Sequence, residues 1–222
     1  MLRRVADPRI PEELFTSRLV LRRWRPADLD ALAEVFAQRE VWEFPFGRGL
    51  TRDETELRLR CYLETWERDG FGKYAVELGG TGALIGYAGL EVVTWFHEIH
   101  GEVEIGWRLD PGHWGHGYAT EAARASLEVG FDHLGIDRVV AVIEPANVAS
   151  SRLAGRIGLQ AVRQTVEPRF NKLLEVCVVE RERFAELFGS EVAAGHCAAT
   201  STITNVPGRP MSPNDPPERR GA

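Results

Sequence analysis

Twelve consecutive residues, Asp110-Pro-Gly-His-Trp-Gly-His-Gly-Tyr-Ala-Thr-Glu121, concentrate the groups best able to hold a ligand. Gly115 and Gly117 allow a sharp backbone turn and leave neighbouring amides uncovered by a Cβ. The unpaired amides of a following helix start, reinforced by the helix dipole, suit a phosphate group. Two other chemistries compete for these residues. A dinucleotide fingerprint would need a third glycine where Thr120 stands. It would also need an acidic residue closing a second strand, and residues 138–143 are followed by none before Glu144. Histidines recur at i, i+3 in His97/His100 and His113/His116, but no Cys or Asp completes a zinc set, so no metal is expected. A turn with a purely structural role is the remaining alternative.

The surrounding pattern supplies a strand before this turn and a helix after it. Residues 102–109 alternate as a strand, and from Tyr118 to about Leu134 small and apolar residues recur at helical spacing. Upstream, a strand at 19–24 leads to a helix opened by Pro26, and 42–47 is expected to be an aromatic loop. Thr51 or Asp53 caps a second helix, with Leu57 and Cys61 expected to face inward. Strands at 72–78 and 83–90 flank a Gly-rich turn, and a long loop covers 92–101. After the 118–134 helix come an apolar strand at 138–143, a short helix at 147–157, and strands at 161–166 and 173–179. Hairpins followed by strand–helix–strand units predict an α/β (α+β) domain around a mixed sheet of about seven strands, with about four helices.

Composition bounds the rest. The 27 Lys+Arg residues and 33 Asp+Glu give a net charge of −6, which disfavours bulk-charge binding to nucleic acid or an anionic membrane. Lys73 and Lys172 are the only lysines, and we read the arginine excess as a general compositional bias rather than a ligand-binding device. The three cysteines, Cys61, Cys177 and Cys197, have no framework spacing, and no apolar run is long enough for a membrane span. A cytoplasmic location is expected. Residues 1–14 are expected to form a loose arm, 15–189 the domain, and 190–222, rich in Ala, Thr, Pro and Gly, a disordered tail.

Five motifs in this order resemble the GNAT acetyltransferases, and within them the group that acetylates ribosomal-protein N-termini. They are Thr16-Ser-Arg-Leu-Val-Leu-Arg22, Leu84-Ile-Gly-Tyr-Ala-Gly89, Val103-Glu-Ile-Gly-Trp-Arg-Leu-Asp-Pro111, Trp114-Gly-His-Gly-Tyr-Ala-Thr-Glu-Ala122, and Asn147-Val-Ala-Ser-Ser-Arg152 followed by Gly158-Leu159. The resemblance spans about Thr16 to Leu187. It implies a sheet whose two central strands splay apart, with acetyl-CoA as cosubstrate, an amine as acceptor and, in many members, a homodimer.

By the same resemblance, Trp114, Gly115, His116, Gly117, Tyr118, Ala119 and Thr120 would hold the coenzyme A pyrophosphate. Trp114 stands where the family has Gln or Arg. Trp107, Arg108 and Leu109 would border the pantetheine arm, and Asn147 would bond its amides. Glu104 matches the family's carboxylate base, with Glu102 and Glu91 as alternatives. Alternatively, Glu104 is a solvated strand carboxylate paired with an arginine. No tyrosine follows Tyr118, so the family's usual acid is missing. Ser150 matches its serine replacement in the subgroup, or is a hydroxyl in the first helical turn. Trp42, Phe44, Phe46, Trp95 and His97 are candidates for the acceptor walls. The expected activity is acetyl transfer to a primary amine: a peptide N-terminus, an amino sugar, a polyamine or an amino acid. A non-catalytic acyl-CoA-binding module on the same fold is the alternative.

Overall fold

The computed structural model describes residues 10–167 and 171–198, with side chains through residue 189. Eight strands are present among them: β1 (Glu13–Phe15), β2 (Leu19–Arg22), β3 (Lys73–Leu78), β4 (Leu84–Val92), β5 (Val103–Leu109), β6 (Arg138–Ile143), β7 (Gln160–Glu167) and β8 (Lys172–Glu180). They form one sheet in the order β1-β2-β3-β4-β5-β6-β8-β7. The α-helices are α1 (Leu29–Phe36), α2 (Glu43–Phe46), α3 (Arg52–Asp69), α4 (Tyr118–Glu128), α5 (Val148–Arg156) and α6 (Arg181–Ala198). One compact unit ends at Leu187 and contains every residue discussed below; a second begins at Phe188. The tail expected from residue 190 is not disordered at its start, because α6 continues to Ala198; residues 199–222 lie outside the described residues, as do residues 1–9 of the expected arm.

The mixed α/β class is as expected, with one strand more and, among the described residues, six α-helices where about four were expected, α2 and α6 being the additions. The extra strand is β1, which pairs antiparallel with β2 from Glu13↔Arg22 to Phe15↔Val20 and so takes in the end of the expected arm. Two helices also differ from the sequence reading. Residues 42–46 are not a loop: a 3-10 turn over Arg39–Trp42 runs into α2, whose Phe44–Pro45 peptide bond is cis. Beyond Glu128 the long helix widens into a π-helical turn over Val129–His133, where the Leu134 amide donates to the Val129 carbonyl at 2.9 Å.

Helix α3 begins on a reciprocal cap: the Thr51 amide donates to Glu54 Oε2 at 2.8 Å, and the Glu54 amide donates to Thr51 Oγ1 at 3.2 Å. Its buried face is Thr55, Leu59, Tyr62 and Trp66, whereas Leu57 and Cys61 face outward. Both stripes fit helical spacing; the one carrying two large rings has more surface to remove from water. The indoles of Trp66 and of Trp24 both donate to the Lys73 carbonyl, at 3.0 and 2.9 Å, which ties α3 and the end of β2 to the start of β3.

The feature that makes the site is a break in the sheet. Antiparallel pairing of β4 with β5 is continuous from Gly86↔Leu109 to Val92↔Val103. Among the described residues the one parallel junction, β5 with β6, is registered at Glu104↔Val140 alone. On its other side β6 is fully paired with β8. The two central strands therefore part after one contact. Helix α4 packs against β4 and β5 through its small residues, with Ala122 and Ala123 wholly buried.

Gly86 fixes how closely β4 runs beside β5. It has φ +139, and a Cβ there would lie 2.1 Å from the Arg108 carbonyl oxygen. Gly86→Ala is therefore expected to destabilise the fold by about 2 kcal/mol or more, read as a lower urea midpoint; an unchanged midpoint would show that β5 can shift freely.

Candidate active site

A cleft of about 510 Å³ opens where β5 and β6 part. It gathers residues distant in sequence. Glu91 and Glu104 line it from β4 and β5, and Trp107 and Arg108 continue along β5. Asn147 and Ser150 enter from the start of α5, and Trp42, Phe44, Phe46 and Trp95 supply aromatic wall. Leu109, which is buried, and the glycine-turn residues Trp114 to Thr120 do not line this cleft, and two further expected residues do not join it. His97 is exposed on a 3-10 turn whose buried members are its neighbours Phe96 and Ile99, so the loop anchors itself apolar side inward. Glu102 lies near Arg138, with 3.4 Å between Oε2 and Nε, and does not line the cleft.

Glu104 occupies the last registered position before the strands diverge. Its carboxylate accepts a hydrogen bond from the Val142 amide on β6, so one side chain spans the beginning of the gap. It is buried (8% exposed). Burial pushes its carboxyl up to about 7, against the pull of Lys73; Glu91 adds to the rise, and the Val142 hydrogen bond and Arg108 oppose it. Glu91 stands directly opposite Glu104 across the β4–β5 ladder and pairs with Lys73, Nζ to Oε1 2.5 Å. Burial alone would lower the Lys73 pKa, but Glu91, with Tyr87 and Glu104, outweighs it and holds the ammonium above its ordinary value.

Arg108 organises the aromatic wall. Its Nη1 donates to the Val41 carbonyl at 2.5 Å and its Nη2 to the Phe44 carbonyl at 2.8 Å. Its guanidinium lies 4.0 Å from the Trp42 ring centroid, and Trp42 stacks on Phe46 at 5.5 Å. The side chain thus faces the aromatic wall, while its backbone belongs to the β5 edge. Two buried polar atoms in cleft-lining residues, Trp42 Nε1 and Glu144 Oε1, have no hydrogen-bond partner among the described residues. Polar groups of a ligand would complement them.

The glycine-rich turn follows the C-terminal end of β5. Asp110 shapes its entry, accepting from the Gly112 amide at 3.1 Å and from Gln38 Nε2 at 3.0 Å, with His113 Nδ1 3.0 Å away. The Trp114 indole donates to the Leu109 carbonyl at 2.8 Å, and its ring is half exposed. Gly115 and Gly117 take φ +79 and +82, a left-handed backbone that favours glycine. Gly117 is the N-cap of α4, so Tyr118, Ala119 and Thr120 occupy its first turn, where amides have no intrahelical acceptor. An anion such as a pyrophosphate fits this arrangement of exposed turn and helix start.

Sequence reasoning missed what holds that turn. Arg18, from the segment leading into β2, donates through Nη1 to the His116 carbonyl at 2.8 Å and through Nε to Glu121 Oε2 at 2.7 Å. It also lies 4.7 Å from the Tyr118 ring centroid. Glu121 accepts further from Thr16 Oγ1 at 2.6 Å and Ser17 Oγ at 3.0 Å. Burial works against its charge, yet these hydrogen bonds hold its carboxyl below the ordinary value. The signal in sequence was the Thr-Ser-Arg run itself, but its partner lies 103 residues on. Lys73 was likewise noted only as a rarity of composition.

Across the gap, Asn147 caps α5 by accepting from the Ser150 amide at 3.1 Å, which leaves its side-chain NH₂ to donate elsewhere. Among the described residues no cluster of three or more His, Cys, Asp or Glu could hold a metal ion, and no helix is long and apolar enough to cross a membrane.

Comparison with known proteins bears on this geometry. Residues 18–160 match the model of the acetyltransferase (GNAT) domain family. The uncharacterized N-acetyltransferase YnaD of Bacillus subtilis is 31% identical over 149 residues, 66% of this chain and 82% of that protein. The crystal structure of an acetyltransferase from Agrobacterium tumefaciens superposes with a TM-score of 0.63 at 30% identity, covering 74% of this chain and 92% of that one. The ribosomal-protein-S5-alanine acetyltransferase of Vibrio fischeri shares the fold at TM-score 0.62 and 15% identity, over 77% and 97% of the two chains. The family's donor is acetyl-CoA. The chain belongs to the GNAT acetyltransferase family and is an acetyl-CoA-dependent acyltransferase.

Proposed function

We propose that the protein transfers the acetyl group of acetyl-CoA to a primary amine by direct attack, with Glu104 as general base. One observation carries this reading: the Glu104 carboxyl is buried in the cleft lining at the last pairing before the central strands part, where desolvation pushes it up to about 7. An amine is mostly ammonium at neutral pH and must lose a proton before it can attack a carbonyl. A base that titrates near 7 is about half ionised there and can accept that proton. Acetyl-CoA supplies the thioester and a thiol leaving group.

The remaining roles follow from position. The amides from Gly115 to Thr120 receive the pyrophosphate, and the Asn147 NH₂ donates to the pantetheine arm. The open edge of β5 at Trp107–Leu109 pairs with that arm as an added strand would. The backbone amide near Trp107 faces the oxyanion. Ser150, beside Asn147 in the cleft lining, donates to the departing sulfur. The acceptor, a protein N-terminus or a small-molecule amine, lies against Trp42, Phe44, Phe46 and Trp95.

Acetyl-CoA incubated with an amine panel should release free thiol with at least one member; binding of acetyl-CoA with no thiol release from any amine would favour a non-catalytic module. Glu104→Gln should lower kcat/KM at pH 7.5 by at least about a hundredfold and remove the rise in rate through pH 7. Its coenzyme A affinity, read by calorimetry, should be unchanged; wild-type-like turnover at every pH would eliminate the base. Arg18→Ala should weaken coenzyme A binding about tenfold by loosening the His116–Tyr118 turn, and an unchanged dissociation constant would contradict that role.

A further inference from the structure

In a chain whose 27 cationic residues include only two lysines, both lysines line the cleft. Each is paired with a glutamate there, Lys73 with Glu91 and Lys172 with Glu144. A bias toward arginine across the chain makes those two positions the exceptions, and Lys73 lies beside Glu104.

The surroundings of Lys73 suit a compact ammonium. Its side chain crosses the face of the sheet from β3 to β5 over Gly106, where a Cβ would lie 3.1 Å from Cε and 3.4 Å from Nζ. The ammonium sits 5.3 Å from the Tyr87 ring centroid. An arginine would bring a planar fork of five donors where a single point charge fits. Its backbone is held as well, because two indoles, Trp24 and Trp66, donate to its carbonyl.

The need for that charge comes from the register. Glu91 and Glu104 are directly opposite each other on β4 and β5, an arrangement in which two carboxylates repel. Groups from each neighbouring element bear on the pair. Tyr87 comes from β4 and Tyr62 from α3, both lining the same cleft. Arg108, on β5, is committed to the Val41 and Phe44 carbonyls; Arg58, on α3, lies over Trp42 at 5.3 Å; and Arg68, also on α3 and within electrostatic reach of Glu91, is paired with Asp69. Among the described residues Lys73 makes the one ion pair to either carboxylate.

We infer that Lys73 is a positioning residue of the acetyl transfer, whose ammonium on Glu91 sets the proton affinity with which Glu104 meets the amine. This rests on the reading of Glu104 as base. Without Lys73 the charge of Glu91 bears on Glu104 with its ion-pair partner gone, so the titration step of Glu104 moves to higher pH. Without Glu91 the repulsion is gone and Lys73 is free to pair with Glu104, so the step moves to lower pH.

The test is the pH profile of kcat/KM for wild type, Lys73→Met, Glu91→Gln and Glu104→Gln, with one amine acceptor that gives thiol release. Opposite displacements are expected. The rising limb should move up by about one unit or more in Lys73→Met, costing about tenfold in rate at pH 6.5 and recovering by pH 9. It should move down in Glu91→Gln. The limb due to the acceptor's own ammonium stays in place in all variants and serves as an internal reference. A merely structural ion pair would lower the rate in both variants at all pH values without moving the limb, and that result would overturn the inference. If Lys73→Met does not fold, Glu91→Gln decides alone: an acid displacement supports the role and an unmoved limb overturns it. A limb that persists in Glu104→Gln would instead overturn the base assignment beneath it.

Discussion

A single unmade set of hydrogen bonds organises this molecule. Between β5 and β6 the sheet pairs at Glu104↔Val140 and then stops, although both strands continue and each is fully paired on its outer side. Backbone groups in a sheet interior carry a strong demand for partners. A gap there persists only if something else meets that demand, and the first amide beyond the last pair, that of Val142, is met by Glu104 itself. The cleft, the open β5 edge and the buried carboxylate are three consequences of one break. The outer pairings keep the break open, since β5 cannot swing toward β6 without tearing a continuous antiparallel ladder to β4.

Burying a carboxylate at such a point is costly, and the surroundings decide which protonation state survives. Desolvation favours the neutral acid; Lys73, Arg108 and the Val142 amide favour the anion. Desolvation, helped by Glu91, outweighs the groups that favour the anion, and their opposition keeps the carboxyl at about 7 rather than locked in its neutral form. A lone carboxylate on an exposed strand would already be ionised and a weaker base. One in an apolar pocket without Lys73 would hold its proton more tightly. One glycine serves the same balance: Gly106 makes room for the ammonium.

Much of this was legible in the residues. The glycine turn, the strand before it and the helix after it are written as local patterns, and local patterns survive folding because their causes are local. The eight-strand order is long-range, yet the alternation of hairpins with strand–helix–strand units limited it to a mixed sheet. What could not be read depended on choices between equivalent faces or on partners far along the chain. On α3, Leu57–Cys61 and Leu59–Tyr62–Trp66 are both helical stripes, and only the size of the rings set against β3 decides. His97 belongs to a loop whose inward residue is its neighbour Phe96. The roles of Arg18 and Lys73 are not legible in sequence because what defines them, Glu121 in one case and Glu91 opposite Glu104 in the other, comes together only in the folded sheet.

The central claim is that Glu104 carries a proton affinity matched to neutral pH because of where the sheet breaks. It can be observed without any substrate. Carbon-13 NMR of protein labelled at the glutamate carboxyl carbons, with Glu104 assigned by its loss in Glu104→Gln, follows that one group through a pH titration. A midpoint near 7 is the expected result. A midpoint in the ordinary carboxylate range of about 4 to 5 would contradict the account.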